Sequence, residues 1–291
     1  AAISACEKGQ QWQTGLAILQ QMVRSAVPVD VVAYAAAVSA CEKGHQWASS
    51  VALLQQMLRT AVVPNLVTYN ASISACEKGH RWSEALSFLQ WMEGAAVLPD
   101  LVTFNCALGS CARAGRWRET LGVFARTLEM SFHPDIITYN VLLEGLCNRP
   151  EGMAMFWHAL SIGIYPGLTA KGKKLLDLHD MSPGAAVLAA RWWLVEVAPG
   201  ALRELPEPPY LELITGWGRS RKPWAASADV QAAVARLLDE LSLPWTWANE
   251  GRLRLEVSPA SLEALADEPS VVPSLRRDVG RAPVATRTKK Q

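Results

Sequence analysis

The sequence predicts an all-α solenoid of helical hairpins followed by a small α/β sandwich domain, and two observations carry that prediction. A 35-residue unit recurs in register: Tyr34, Tyr69, Phe104 and Tyr139 stand 35 apart, as do Cys6, Cys41, Cys76 and Cys111, and Trp12, Trp47, Trp82 and Trp117. Asp30, Asn65, Asp100 and Asp135 close the units at the same interval. Past Pro166 the period is lost, and short apolar runs alternate with helical patterns. A fixed period in the thirties marks stacked helical hairpins, and alternating strand and helix patterns mark an α/β layer.

Within one unit the apolar spacing is helical. Tyr69, Ile73 and Cys76 lie at i, i+4, i+7, and after Gly79 a second face runs Trp82, Ala85, Leu86, Leu89, Met92. Thr68 is expected to cap the first helix and Gly79 to stop it, Ser83 with Glu84 to open the second, and Pro99 to prevent continuation into the next unit. Neither helix alone buries a full core, so stability must come from stacking each hairpin on its neighbours.

Composition excludes several classes. No apolar run reaches transmembrane length, and no membrane partner is expected. Residues 1–170 carry 11 Lys+Arg against 12 Asp+Glu, and residues 171–291 carry 17 against 15, a balance that argues against a general polyanion binder. The cysteines recur at equivalent helix positions with no C-x2-C pair, so they read as buried free thiols in a reducing compartment rather than a zinc site. No metal site is expected. The repeated tryptophans read as packing between repeats rather than base-stacking platforms. His45 and His80 fall at a turn position held by Gln10 and Gly115 in neighbouring units, which suits an exposed turn.

The informative polar positions are Asn70, Asn105 and Asn140, one turn into the first helix, and the unit-closing Asp100 and Asp135. An amide presents donors and an acceptor to the edge of an unstacked base, and a carboxylate can hold that amide in place. The competing reading is that Asn and Asp serve helix ends, as they often do.

The unit Val67-Thr68-Tyr69-Asn70 to Pro99-Asp100, with its S-A-C-x-K-G turn and W-S-E-A-L second helix, resembles the pentatricopeptide repeat, and the resemblance runs from residue 1 to about 167. It implies single-stranded RNA as partner, one base per repeat, read by the fifth residue of a unit with its last. Asn70 with Asp100 and Asn105 with Asp135 resemble pairs that prefer uridine over cytidine, so adjacent pyrimidines are expected there. Ala35 with Asn65 departs from the usual combinations. Asn140 has no assignable partner, because Gly152 stands where Trp is expected and Pro166-Gly167 arrives early.

The second domain is expected over 171–257. Lys174 to His179 reads as a buried strand, Ser182-Pro183 opens a helix to about Val197, Leu211 to Thr215 is a strand, and a helix follows from about Ser227 to Leu241. Pro244 to Ala248 and Arg252 to Val257 read as a hairpin around Asn249-Glu250-Gly251. A strand, helix, strand crossover makes the first two strands parallel and puts His179 and Gly216 at one carboxyl edge. Gly216 and Gly218 let backbone amides approach a phosphate, with Arg219, Arg221 and Lys222 adding charge. Asp177 and His179, two apart, face one way, and a histidine beside a carboxylate suits acid–base cleavage of a phosphodiester. From about Ser258 to Gln291 the chain reads as a basic, disordered tail.

Leu176-Asp177-Leu178-His179 and Thr215-Gly216-Trp217-Gly218-Arg219 resemble the L-D-x-H strand and T-G-x-G loop of the small MutS-related domain, in its plant-type form. The combination with pentatricopeptide repeats resembles organellar proteins that carry both modules, chloroplast ahead of mitochondrion. It implies an RNA endonuclease with Asp177 and His179 as catalytic pair and Thr215, Gly216, Gly218, Arg219, Arg221 and Lys222 at the phosphate, magnesium being the cofactor to test. Asp180 departs from the family's glycine after the histidine, and the second glycine after Arg219 is missing. A monomer is expected, and the opening at Ala1, which aligns with Ala36 and Ala71 in mid-helix, reads as a fragment lacking further repeats and any targeting peptide. The alternatives are an RNA-binding protein that does not cut, and a scaffold for protein partners.

Overall fold

The computed structural model describes residues 2–204, 210–216 and 227–266, and the chain divides into two compact units, Ala1–Leu146 and Cys147–Gln291. The first unit is a run of helical hairpins. They are α1 (Ala2–Lys8) with α2 (Trp12–Arg24), α3 (Val31–Lys43) with α4 (Trp47–Arg59), α5 (Leu66–Lys78) with α6 (Trp82–Gly94), and α7 (Leu101–Arg113) with α8 (Trp117–Glu129). The helix α9 (Ile136–Leu146) closes the unit. Each first helix packs on the first helix of the next hairpin and on its own second helix. The core is the periodic apolar set: Tyr34, Tyr69, Phe104 and Tyr139 and Cys41, Cys76 and Cys111 are all buried. The thiols are free, and burial pushes Cys41 up to about 11 and Cys76, Cys106 and Cys111 up to about 12, which leaves them little thiolate character.

The caps differ from expectation by three residues. Asp30, Asn65 and Asp100 are the N-caps, each accepting from the backbone N–H three residues on, so Thr68 is not the cap but the residue capped. The second helix α6 starts at Trp82 with no side-chain cap, and the expected Ser83-Glu84 opening is replaced by an Arg81–Glu84 ion pair. Gly79 does follow the last helical residue, but at φ −89°; the left-handed turn residue is His80 (φ 55°), like Gln10, His45 and Gly115 in the other units. Glycine at 79 answers a different need. The Trp47 ring of the preceding unit lies against it, and an added Cβ would stand 2.5 Å from that ring. Cations also cover these rings: the Arg81 guanidinium lies 4.5 Å from the Trp47 centroid and Arg116 lies 4.4 Å from that of Trp82. Charge pairs follow the same step along the first helices: Glu7 with Lys43, Glu42 with Lys78, Glu77 with Arg113.

The second unit opens with α10 (Pro150–Ser161), expected as the last helix of the solenoid. With Gly152 in place of the repeated Trp, its large residues go elsewhere: Phe156 meets Tyr165 and Trp192, and α10 packs against α11 (Pro183–Glu196). The compact units divide at Leu146/Cys147, so α10 counts with the second of them. A four-stranded sheet is built from β1 (Leu175–Asp177), β2 (Leu211–Ile214), β3 (Trp245–Asn249) and β4 (Arg252–Leu255) in the order β1-β2-β4-β3. β1 and β2 are parallel, with Asp177 opposite Ile214, and β4 is antiparallel to both β2 and β3. Leu211, Leu213, Leu253 and Leu255 bury one face of the sheet, and α11 packs on α13 (Ser227–Glu240). Two helices were not expected. The short α12 (Ala198–Arg203) packs on α14 (Pro259–Ala266), which occupies the start of the presumed tail. Ser258 accepts from the Ser261 N–H at its start, Pro259 suits its first turn, and Leu262 and Leu265 are buried.

The glycine argument is testable on stability. Gly79→Ala is expected to cost about 1–3 kcal/mol by driving Cβ into Trp47. Gly122→Ala, in α8 where nothing lies within 4 Å, is expected to stabilise by up to about 1 kcal/mol through helix propensity. Urea unfolding of both variants checks this, and equal effects would refute the packing account.

Candidate nucleic-acid interface

The first-helix N-termini bring together the residues predicted to read bases. Asn70 Nδ2 donates to Asp100 Oδ1 at 3.2 Å, across the step from one unit to the next, while Asp100 caps α7 by accepting from Thr103 N at 2.8 Å. The Thr103 hydroxyl lies 2.5 Å from Asn70 Oδ1 and 2.8 Å from Asp100 Oδ1, and accepts from Asp100 N at 3.1 Å. Capping and pairing are therefore not alternatives here: one carboxylate does both. Burial pushes the Asp100 carboxyl up, but the hydrogen bonds from Thr103 and Asn70 outweigh it and hold it below the usual carboxylate range.

The next unit repeats the sequence but not the bonding. Asp135 accepts from Thr138 N and Oγ1, both at 2.9 Å, as a cap should. Asn105 Oδ1, however, is buried with no partner among the described residues. In the preceding unit Asn65 takes the Thr68 N–H and hydroxyl at 3.0 and 2.8 Å, and Ala35 offers no amide to hold. Asn140 is fully buried, so it is not presented at a surface. A further periodic feature escaped the sequence reading. Val32, Val67 and Val102 are 63%, 57% and 56% exposed, one per unit, three residues before the fifth position's amide or its Ala35 counterpart. An apolar residue left in water every 35 positions was visible as a break in the otherwise buried helical stripe.

In the second unit, β1 and β2 run parallel and end side by side, which puts His179 and Gly216 at one edge of the sheet. His179 Nδ1 lies 2.6 Å from Asp177 Oδ1, and Lys171 Nζ donates to Asp177 Oδ2 at 2.8 Å. Asp177 is nearly buried while His179 is half exposed. Burial pushes the Asp177 carboxyl up, and the hydrogen bonds from Lys171 and His179 override this to leave it depressed. The second imidazole nitrogen is also engaged: Nε2 stands 3.0 Å from Asp180 Oδ2. A ring held by carboxylates at both nitrogens is well oriented, but Nε2 meets a substrate only when Asp180 moves aside.

The phosphate loop is partly described. Thr215 is buried, and its N–H and hydroxyl both donate to the Gly251 carbonyl at 3.0 and 3.3 Å, so it joins β2 to the hairpin turn rather than presenting a phosphate ligand. Gly216 adopts φ 89°, which a side chain would strain, and its carbonyl accepts from Gln231 Nε2 at 3.1 Å. Gly218, Arg219, Arg221 and Lys222, with Trp217, lie outside the described residues. Among the described residues no cluster of His, Cys, Asp or Glu has the makings of a metal site, and no helix is long and apolar enough to cross a membrane.

Both depressed carboxyls contribute stability that is present above the unfolded-state value of about 3.9 and lost as pH falls through the folded value. Thermal stability is expected to drop below about pH 4. Asp100→Asn, which keeps a capping oxygen as Asn65 does, is expected to flatten part of that acid limb, and melting followed by circular dichroism from pH 7 to 2.5 checks it.

The repeat sequence and fold have known counterparts. The PPR repeat family matches residues 64–113 and 99–148, and the pentatricopeptide repeat domain matches 17–78. Among solved structures the chain is similar to the PPR domain of Arabidopsis thaliana protein-only RNase P 1 in complex with tRNA, at 18% identity and TM-score 0.51 over 55% of this chain and 84% of that one. It is similar also to the maize pentatricopeptide repeat protein PPR10 in complex with an 18-nt psaJ RNA element, at 20% identity and TM-score 0.53 over 82% of this chain and 32% of that one. A third is nuclear proteinaceous RNase P 2 of A. thaliana, at 12% identity and TM-score 0.55 over 72% and 48%. The chain thus spans about a third of PPR10 and about half of RNase P 2. A search of curated proteins returned no match. At these identities the structural likeness is one of fold, and with the sequence matches it identifies residues 17–148 as pentatricopeptide repeats.

Proposed function

We propose that the chain binds single-stranded RNA, reading adjacent pyrimidines, uridine above all, through Asn70 with Asp100 and Asn105 with Asp135. The observation that carries this reading is the direct Asn70–Asp100 hydrogen bond between neighbouring repeats, which holds an amide at the helix N-terminus. The exposed row Val32, Val67 and Val102 supports it, because an apolar side chain beside each reading position suits contact with the flat face of an unstacked base. Two solved structures of similar fold hold RNA: PPR10 with an 18-nt RNA element and the RNase P 1 repeat domain with tRNA. On this reading the protein works as a monomer in an organelle, the chloroplast first.

Exchange at one reading position tests it. Asn70→Ser is expected to shift preference at one nucleotide from pyrimidine toward purine, by about 1–3 kcal/mol between the favoured and disfavoured base. Binding to single-stranded RNA pools followed by sequencing measures this, and an unchanged preference would sink the assignment.

The second unit is a candidate small MutS-related RNA endonuclease, with His179 as the acid–base group and Asp177 orienting it. The Lys171–Asp177–His179 chain of contacts supports that role. A second reading, an RNA-binding protein that protects or remodels its transcript without cutting, is favoured by the hold of Asp180 on Nε2 and by the engaged Thr215 hydroxyl. The two readings separate on one set of variants assayed with and without magnesium. If the domain cuts, His179→Ala lowers cleavage by about 100-fold or more at nearly unchanged RNA affinity, and Asp180→Gly raises it by freeing Nε2. Wild type and Asp180→Gly that both bind without cutting would establish the non-catalytic reading.

A further inference from the structure

We propose that Thr103, a buried residue of the following repeat, is a positioning residue for base reading at Asn70, because its single hydroxyl proton sets which way the Asn70 amide faces. The proposal rests on the RNA reading above and extends it to a third side chain.

The argument is one of donors and acceptors. Thr103 is fully buried, and its hydroxyl oxygen accepts from Asp100 N at 3.1 Å. It has one proton and two oxygens within reach, Asn70 Oδ1 at 2.5 Å and Asp100 Oδ1 at 2.8 Å. Asp100 Oδ1 already receives the Thr103 N–H at 2.8 Å and Asn70 Nδ2 at 3.2 Å, whereas Asn70 Oδ1 takes no other hydrogen bond among the described residues. The proton therefore goes to Asn70. A carboxylate only accepts, so it faces the amide NH2, and a donated proton must face the amide oxygen. The two contacts agree on one orientation, and a flipped amide would turn its oxygen toward the Asp100 carboxylate and lose that hydrogen bond. The remaining Nδ2 hydrogen then forms a fixed donor for a base acceptor.

The same three residue types give a different result one repeat later. There the Thr138 hydroxyl is 2.9 Å from Asp135 Oδ1, its proton closes on the cap, and Asn105 Oδ1 is left buried with no partner among the described residues. In the repeat before, Thr68 makes the cap contact to Asn65, and the fifth position is Ala35, which carries no amide. The contact of a Thr with the helix cap is thus common to all three units, and orientation of an amide belongs to Thr103. That contrast separates the proposal from a purely structural role.

The experiment uses the full chain and single-stranded RNAs varied at the nucleotide whose preference Asn70→Ser alters. Thr103→Val keeps shape and removes the proton; it is expected to cut the preference ratio at that nucleotide by about five- to tenfold, and Thr103→Ser to restore it. Thr138→Val removes an equivalent cap contact and is expected to lower the melting temperature comparably while leaving preference at its own nucleotide within about twofold. In the free protein, the Asn70 side-chain amide signals in a nitrogen–proton spectrum are expected to lose their protection from exchange in Thr103→Val. Uniform weakening for all four bases, an unmoved Asn70 signal, or equal loss of preference in Thr138→Val would each overturn the proposal. If Asn70→Ser itself leaves preference unchanged, the RNA reading falls and takes this one with it; a response to Asn70→Ser without one to Thr103→Val overturns the positioning role alone.

Discussion

Everything in the first unit depends on how one hairpin seats on the next, and the key contact is a tryptophan ring against a bare backbone. Trp47 lies on Gly79, one unit along, with the Arg81 guanidinium also over its ring, and a side chain at 79 would lift the ring out. An isolated hairpin of two 13-residue helices buries too little to be stable. The ring converts each unit's exposed end into part of a continuous core. The ion pairs that follow at the same step are half exposed, so they add register more than energy.

That fixed step is also what makes a reading surface possible. Because α5 and α7 stack first helix on first helix, the amide of Asn70 and the cap of α7 meet within hydrogen-bond reach. An N-cap must be an acceptor placed at the start of a helix, and a base reader must be a polar group held outside the core. The interface between repeats caps α7 and holds the Asn70 amide with one carboxylate, which on the proposed reading serves both needs. The choice between cap and reader posed by the sequence dissolves because the cap oxygen has more than one lone pair.

Much of this was legible in the residues. Period gave the hairpins, i, i+4, i+7 spacing gave their inner faces, and the turn at Gly79 fell where the first helix ends. In the second unit the strand and helix runs from Leu175 to Leu255 were placed to within a few residues, and the parallel β1–β2 pair followed from the crossover rule. What stayed hidden depends on contacts distant in sequence. That Gly79 serves a ring 32 residues earlier rather than its own φ cannot be seen from the turn alone. The helix at Pro259 was masked by the polar run beyond it, although Ser258, Pro259, Leu262 and Leu265 carry a cap, a first-turn proline and a buried pair. Thr215 read as a loop residue from its motif, while its hydroxyl is taken by Gly251, 36 residues on.

Repetition in sequence does not secure repetition of chemistry. Asn70 and Asn105 occupy the same place in successive units with the same Asp and Thr partners, yet one amide is bonded at both ends and the other has a buried oxygen with no partner among the described residues. The shift that separates them is only the destination of one hydroxyl proton, and in a half-buried site that is enough, since an unmet acceptor is costly and a ligand that meets it gains accordingly. The His179 site obeys the same rule. Its two carboxylate neighbours use both ring nitrogens, so whether that site turns a bound strand into a cut one depends on whether Asp180 releases Nε2. Periodic packing positions such groups, and the last hydrogen bond at each decides what the position can do.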